Sequence, residues 1–192
     1  PGAGDRGWVL VDAGVMGTAR LIEAAAAERF GKGARPAAIV LTHGHFDHVG
    51  GLVELINKWR VPVYAHPLEF PYLTGKLAYP EPDSSVEGGM LAKISSIYPH
   101  QPIDISGAVE PLATNHSVND LAEWKWIHTP GHSPGHVSLY RERDGLLLSG
   151  DAFVTVRQDS FYKVLLQKEE VNGPPRYLTT DWKAAKESVR IL

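Results

Sequence analysis

The chain has 192 residues, of which 43% are hydrophobic and 21% charged, and its formal net charge at pH 7 is -3. Those proportions are typical of a globular protein with one sizeable core, and we predict a single domain over residues 1–192. The slightly acidic balance gives no support to a nucleic-acid partner, and the absence of cysteine excludes disulfides, thiolate nucleophiles and sulfur ligands for a metal.

Neither a membrane span nor a secretory signal is indicated by the sequence. No run of about 18 apolar residues exists, and the opening PGAGDRG lacks the basic and apolar regions of a signal peptide. We therefore expect no membrane association and, by the absence of these signals, a cytoplasmic location. The chain starts without Met and stops in a helical pattern, KESVRIL, so we expect it to be cut at both ends. Nothing in the sequence indicates the oligomeric state.

Predicted strands and helices alternate in the first part of the chain. WVLVDAG (8–14) predicts a buried strand, followed by a helix over 15–30 that ends at Gly31. AIVLTH (38–43) predicts the next strand, then a helix over about 47–59 and a strand at VPVYAH (61–66). This β-α-β-α-β order indicates an α/β sandwich. The residues expected on the inner face of the first helix are Met16, Ala19, Ile22, Ala26 and Phe30.

The second part of the chain begins with an insert of about 67–122, in which one helix is predicted around 89–97. The aromatic residues of this insert either line an apolar pocket or pack it against the sandwich. Strands are predicted at 124–129, 136–142 and 145–153, with Asp144 and Gly145 forming a hairpin turn. A loop over 157–178 precedes a last helix, with Thr180 as N-cap and Asp181 at its first position.

Histidines are concentrated where the second predicted strand ends, in THGHFDHVGG (42–51). His43 and His45 are two residues apart, so in extended backbone both rings point the same way and can reach one ion. Asp47 and His48 lie where the chain turns into a helix and approach from another angle, which suits a second ion. The neighbouring glycines let the backbone turn tightly. A metal site is therefore predicted here.

A second polar cluster follows two later predicted strands. TPGHSPGH (129–136) carries His132 and His136, and His128 precedes it. Asp151, in LLSGD, comes nineteen residues after His132, where another strand ends. Because sites in α/β folds assemble at strand ends, these loops are expected to converge on one edge of the sheet.

These elements together resemble the metallo-β-lactamase fold superfamily, the HxHxDH hydrolases. The matching segments are THGHFDH at 42–48, TPGHSPGH at 129–136, SGD at 149–151 and VDAG at 11–14. The resemblance implies a four-layer αββα sandwich with two divalent metal ions at one edge, most often zinc, although iron and manganese suit the same ligands. The layout is most similar to the glyoxalase II-like and lactonase-like branch.

The resemblance also implies a role for each matching residue. The first ion would be held by His43, His45 and His132, the second by Asp47 and His48, and Asp151 would bridge the two. Asp12 would orient a histidine ligand through a hydrogen bond. His136 is expected to support the loop rather than to bind metal.

One ligand of the family is missing from this sequence. The resemblance implies a further histidine for the second ion, from a loop after the last helix, but the chain stops at Leu192. We expect a fragment of a longer chain; the alternative is an incomplete second site. His66, His100 and His116 have no spacing that recommends them as replacements.

The implied reaction is hydrolysis of a small molecule. A metal-bridging hydroxide would attack an ester, thioester or lactone carbonyl, and Asp47 would both bind metal and handle the proton. The alternatives are a β-lactam hydrolase, a phosphodiesterase and a non-catalytic metal-binding module. The fold alone does not indicate which of these substrates the protein hydrolyses.

Overall fold

The computed structural model describes residues 7–83, 102–118, 121–156 and 169–192. The helix predicted around 89–97 lies outside the described residues. In the part described, no helix is both long enough and apolar enough to cross a membrane.

A parallel sheet forms from the first part of the chain, in the strand order β1-β2-β3-β4. Its strands are β1 (Val9–Val11), β2 (Ala38–Val40), β3 (Val63–Ala65) and β4 (Val109–Pro111). The helices between them are α1 (Ala19–Phe30), α2 (Phe46–Val49), α3 (Leu52–Trp59) and α4 (Phe70–Leu73). The three predicted strands and the helices between them are confirmed, with shorter bounds. The segment predicted as an insert supplies β4 to this sheet.

The sequence predicted that the first helix begins at residue 15. In the structure it begins at Ala19. Gly17 has φ 86°, a left-handed conformation that interrupts a right-handed helix. Thr18 closes the preceding turn, because its hydroxyl donates to the carbonyl of Val15 at 2.7 Å. Met16 therefore lies outside the helix and is 83% exposed instead of facing the core, whereas Ala19 is buried as expected.

The helix predicted over 47–59 is divided into α2 and α3 at two glycines. A Cβ at Gly50 would lie 2.1 Å from the backbone nitrogen of Met16, and one at Gly51 would lie 2.9 Å from the carbonyl oxygen of Ala13. The Gly50 N–H also donates to the carbonyl of Gly14 at 2.7 Å. The break thus results from close packing of α2 against the loop that follows β1.

An antiparallel sheet forms from the second part of the chain, in the order β5-β6-β7-β8. Its strands are β5 (Ser117–Val118), β6 (Leu121–His128), β7 (Val137–Arg141) and β8 (Leu146–Leu148). The predicted hairpin turn is confirmed: Gly145 has φ 67°, and the Arg141 guanidinium donates to both oxygens of Asp144 at 2.9 and 2.7 Å. Strand β8 ends before residue 153, because Gly150–Ala152 form a single 3-10 turn.

The two sheets face each other across one of two apolar cores. Val40 of the first sheet packs with Trp124, Trp126 and Leu139 of the second. The opposite face of the first sheet, through Ile39 and neighbouring residues, packs against α1 and α3. The predicted αββα sandwich of the α/β class is confirmed.

Two predictions near the end of the chain were wrong. The segment predicted as a loop over 157–178 contains β10 (Glu169–Asn172), which pairs antiparallel with β9 (Val154–Val156). The last helix, α5 (Trp182–Ile191), has Asp181 as its N-cap, since this side chain accepts from the Ala184 N–H at 2.9 Å. Thr180 is not the cap because its backbone N–H and its hydroxyl both donate to the carbonyl of Gly131, at 3.0 and 3.1 Å.

Two residues of helix α3, one buried and one exposed, test the packing of the core. Leu55 is fully buried and Val53, two residues earlier, is 44% exposed. We expect Leu55→Ala to lower the free energy of unfolding by about 2–5 kcal/mol, because it leaves a cavity. Val53→Ala is expected to change it by less than about 0.5 kcal/mol. Urea unfolding of both variants checks this, and equal losses would contradict the packing described.

Candidate metal centre

The two predicted histidine clusters meet at one edge of the sandwich. The loop after β2 carries His43 and His45, and α2 carries His48. The loop between β6 and β7 contributes His132, and the 3-10 turn after β8 contributes Asp151. All five side chains are brought together, as the convergence of strand ends predicts.

Two groups of potential ligand atoms share His43. The ligand atoms of His43, His45 and His132 lie within 4.8 Å of one another, and so do those of His43, His48 and Asp151. Asp151, a member of the second group, also reaches the first: its Oδ1 is 3.5 Å from His48 Nε2 and its Oδ2 is 3.4 Å from His132 Nε2. A side chain in this position can contact two ions at once.

Asp47 lies beside these groups without belonging to either. Its Oδ2 is 3.9 Å from His48 Nε2. Its Oδ1 is buried and has no hydrogen-bond partner among the described residues. Burial raises the pKa of Asp47, an effect that His48 opposes.

Asp12 determines which nitrogen two of the histidines present. The Thr42 hydroxyl donates to Asp12 Oδ2 at 2.8 Å, so its oxygen accepts from His43 Nδ1 at 3.0 Å. His48 Nδ1 also donates to Asp12 Oδ2, at 2.9 Å. Both rings therefore turn Nε2 toward the centre, and that of His43 is unprotonated. Asp12 has the orienting position predicted for it, held in a left-handed conformation with φ 58°.

A threonine that the sequence did not single out orients the third histidine. The Thr179 hydroxyl donates to the carbonyl of Pro175 at 2.7 Å and accepts from His132 Nδ1 at 3.3 Å. His132 Nε2 is thereby left facing His45 Nδ1 at 2.8 Å. Thr179 lies between the predicted loop over 157–178 and the predicted N-cap Thr180, where no pattern pointed to it.

Both ring nitrogens of His136 are engaged within the protein. Nε2 accepts from the backbone N–H of Asp151 at 2.9 Å, and Nδ1 donates to the Thr129 hydroxyl at 2.8 Å. The Thr129 hydroxyl is in turn 3.0 Å from that of Ser138. These contacts fit the prediction that His136 supports the loops, and they hold Asp151 in place.

Burial keeps most of these imidazoles neutral. Desolvation, reinforced by the neighbouring histidines, lowers the pKa of His45 to about 3 and those of His43 and His132 well below the ordinary value. Burial alone would also lower the pKa of His48, but Asp12 and Asp151 outweigh it and raise that pKa to about 11. The histidines, His48 first, hold the pKa of Asp151 well below its usual range against its burial. The site thus combines three neutral imidazoles, those of His43, His45 and His132, with a negative carboxylate and a His48 ring that holds its proton beside two carboxylates.

A divalent cation fits this donor set. His43 Nε2 is buried and has no hydrogen-bond partner among the described residues, although it is common to both groups. An unsatisfied buried acceptor is costly, and a metal ion would satisfy it. Neutral imidazoles with carboxylates suit zinc, iron and manganese.

The remaining histidines lie elsewhere. The rings of His66 and His128 stack at 4.3 Å, and His128 Nε2 donates to the carbonyl of Pro134 at 2.9 Å. His116 contacts Trp126. None of these three belongs to either ligand group. His100 lies outside the described residues.

Comparison with known proteins identifies relatives of this chain. The family described as the metallo-beta-lactamase superfamily matches residues 3–192. The probable metallo-hydrolase YflN of Bacillus subtilis (strain 168) is 48% identical over 95% of this chain and 69% of its own length. A hydroxyacylglutathione hydrolase of Halorhodospira halophila (strain DSM 244 / SL1) is 30% identical over 62% of this chain and 33% of its own length. The chain spans about half of two further metallo-hydrolase relatives.

Solved structures show the same similarity. The di-iron-bound form of TTHA1623 has a TM-score of 0.57 and 29% identity, covering 95% of this chain and 74% of its own. The B3 metallo-beta-lactamase BLEG-1 has a TM-score of 0.57 and 25% identity, covering 98% of this chain and 75% of its own.

The stacked histidine pair outside the centre predicts a dependence of stability on pH. Burial and the neighbouring His128 lower the pKa of His66 to about 4, from an ordinary 6.5. Between these values the unfolded chain binds more protons than the folded one, so acid favours unfolding through this group. His66 also accepts from the Leu68 N–H at 3.3 Å, a cap that asparagine can replace.

We therefore expect His66→Asn to gain stability relative to the wild type as the pH falls from about 7 to about 4. The metal-centre histidines are the same in both proteins, so their contributions cancel. Urea unfolding of both proteins across this range measures the difference. A stability difference that does not change with pH would contradict the assignment.

Proposed function

We propose that this chain, which belongs to the metallo-beta-lactamase superfamily, hydrolyses a carboxyl ester, thioester or lactone of a small molecule with the help of two divalent metal ions. The observation that carries the proposal is the buried, unpaired Nε2 of His43, common to two groups of ligand atoms. Nitrogen and carboxylate donors at this spacing indicate a metal centre rather than a stack of packed rings.

The ligand assignment combines the two groups with the neighbouring Asp47, whose Oδ2 lies 3.9 Å from His48 Nε2. The first ion would be bound by His43, His45 and His132, the second by Asp47 and His48, and both by Asp151. When bound, the ions would activate water and polarise the carbonyl group under attack. Zinc is the default for these donors, and the di-iron-bound form of TTHA1623 supports iron as the alternative.

We assign the proton transfers to Asp47. Its Oδ1 has no hydrogen-bond partner among the described residues, so it is available to accept a proton. In hydrolysis a bond forms between the water oxygen and the carbonyl carbon, and the bond to the leaving oxygen or sulfur breaks. The proton lost by water would pass to Asp47 and then to the leaving group.

The substrate class is supported by the relatives. The hydroxyacylglutathione hydrolase from Halorhodospira halophila favours a thioester. The similarity to BLEG-1 favours a β-lactam as the second candidate, since that structure matches nearly the whole chain. A thioester and a β-lactam both present a carbonyl carbon to the same centre, so the candidates differ in their leaving group.

A substrate panel with two variants tests this proposal. Metal-loaded protein should hydrolyse acyl thioesters, activated carboxyl esters or lactones faster than a chromogenic cephalosporin or a chromogenic phosphodiester. His45→Ala and Asp151→Ala should each lower that activity by at least about 100-fold, because each removes a metal ligand. The control is His116→Asn, which replaces an exposed histidine away from the centre. Asparagine tolerates the backbone φ of 62° at this position.

Each other outcome of the panel contradicts part of the proposal. Faster hydrolysis of the phosphodiester or of the cephalosporin would show that the proposed substrate class is wrong. No turnover of any substrate by metal-loaded protein would indicate a non-catalytic metal-binding module. Full activity of His45→Ala or Asp151→Ala would overturn the ligand assignment.

A further inference from the structure

Glu69 is a fully buried carboxylate with four hydrogen-bond donors. It ends the 3-10 turn Pro67–Glu69 and has 0% exposure. Its Oε1 accepts from the Ser133 hydroxyl at 2.8 Å and the Gly135 N–H at 2.7 Å. Its Oε2 accepts from the Gly44 N–H at 2.9 Å and from the Tyr79 hydroxyl. Two donors on each oxygen is the pattern of an ionised carboxylate.

Three of these donors, those of Gly44, Ser133 and Gly135, come from the two loops that carry the histidines of the first group. Gly44 lies between His43 and His45, and Ser133 directly follows His132. The two loops are separated by 87 residues in sequence at the closest ring contact, His45 Nδ1 to His132 Nε2. The Glu69 carboxylate thus connects the backbone of one histidine loop, at Gly44, with that of the other, at Gly135.

The glycines of both loops are required for this connection. A Cβ at Gly135 would lie 2.8 Å from Glu69 Cγ, and a Cβ at Gly44 would lie 2.7 Å from the Tyr79 hydroxyl oxygen. Neither glycine has a positive φ. Their absent side chains therefore serve the close approach of Glu69 and Tyr79, and not an unusual backbone conformation.

Tyr79 links the same carboxylate to a ring of the centre. Its hydroxyl donates to Glu69, and its ring lies 4.3 Å from that of His45. The ring of Tyr72 stacks on that of Tyr79, with the centroids 3.9 Å apart. The orientation of the His45 ring therefore depends on Glu69 through both the loop backbone and Tyr79.

We propose that Glu69 is a positioning residue for the first metal ion, because its carboxylate holds the loops of His45 and His132 at the separation that the ion needs. This inference rests on the proposed function, since it assumes that these histidines bind metal. Glu69 itself contacts neither the ion nor the substrate. It acts by limiting how far the two loops can move apart when no metal holds them.

The test is the Zn²⁺ affinity of Glu69→Gln, measured by competition with a chromophoric chelator, with the visible spectrum of the Co²⁺-loaded protein as a second readout. The amide replaces one acceptor oxygen by a donor, so two of the four donors lose their partner. We expect the affinity for the first ion to fall by about 10- to 100-fold, with an altered Co²⁺ spectrum. Glu54→Gln, on the exposed face of α3, is the matched control and should change neither.

Two further variants separate positioning from stability. Leu55→Ala weakens the core from helix α3, outside both loops, and should keep the wild-type metal affinity at temperatures where it is folded. Ser133→Ala removes one donor, and should weaken Zn²⁺ binding by a few-fold; this variant serves in place of Glu69→Gln if the latter does not fold.

The possible failures are distinguishable. If the wild type binds Zn²⁺ and Glu69→Gln or Ser133→Ala binds it equally well, the positioning role is wrong while the metal centre stands. An equal loss of affinity in Leu55→Ala would show that Glu69 acts only through stability, and would also overturn the inference. Absence of binding of Zn²⁺, Fe²⁺ and Mn²⁺ by the wild type would overturn both this inference and the proposed function.

Discussion

Burial of several imidazoles against one another is the constraint on which this structure depends. Rings that lie within 5 Å of each other away from water cannot all be charged. Burial, reinforced by the nearby His48, lowers the pKa of His45 to about 3. Neutral rings still need a partner for each nitrogen. The surrounding protein satisfies the outer nitrogens of His43, His48 and His132, and the inner ones remain directed at one another. This is the arrangement that a cation would stabilise.

The fold supplies those outer partners from elements that are far apart in sequence. Asp12 follows β1 and reaches His48 and, through Thr42, His43. Thr179 precedes α5 and reaches His132. Parallel strand order brings the ends of β1 and β2 together, and packing of the two sheets brings the loop between β6 and β7 to the same edge. The centre is therefore assembled by the sandwich rather than by a single loop.

Sequence patterns predicted the local parts of this account and missed the parts that depend on packing. The strand ends at His43 and Asp151 followed from apolar runs, and the family resemblance placed Asp12 beside the histidines. The start of the first helix was predicted several residues too early, because Met16 fits the helical period. In the structure the positive φ of Gly17 prevents the helix from including Met16. Glu69 was missed because a single acidic residue forms no pattern in the sequence; only its four donors reveal its role.

The most direct measurement of the central claim is the number of metal ions per chain, determined by elemental analysis of protein purified without added metal. The account predicts about two ions per chain, because there are two groups of ligand atoms, and Asp151 of the second group also reaches His132 of the first. One ion per chain would contradict the second site. No metal, even after incubation with Zn²⁺, Fe²⁺ or Mn²⁺, would contradict the claim that this buried histidine cluster is a metal centre.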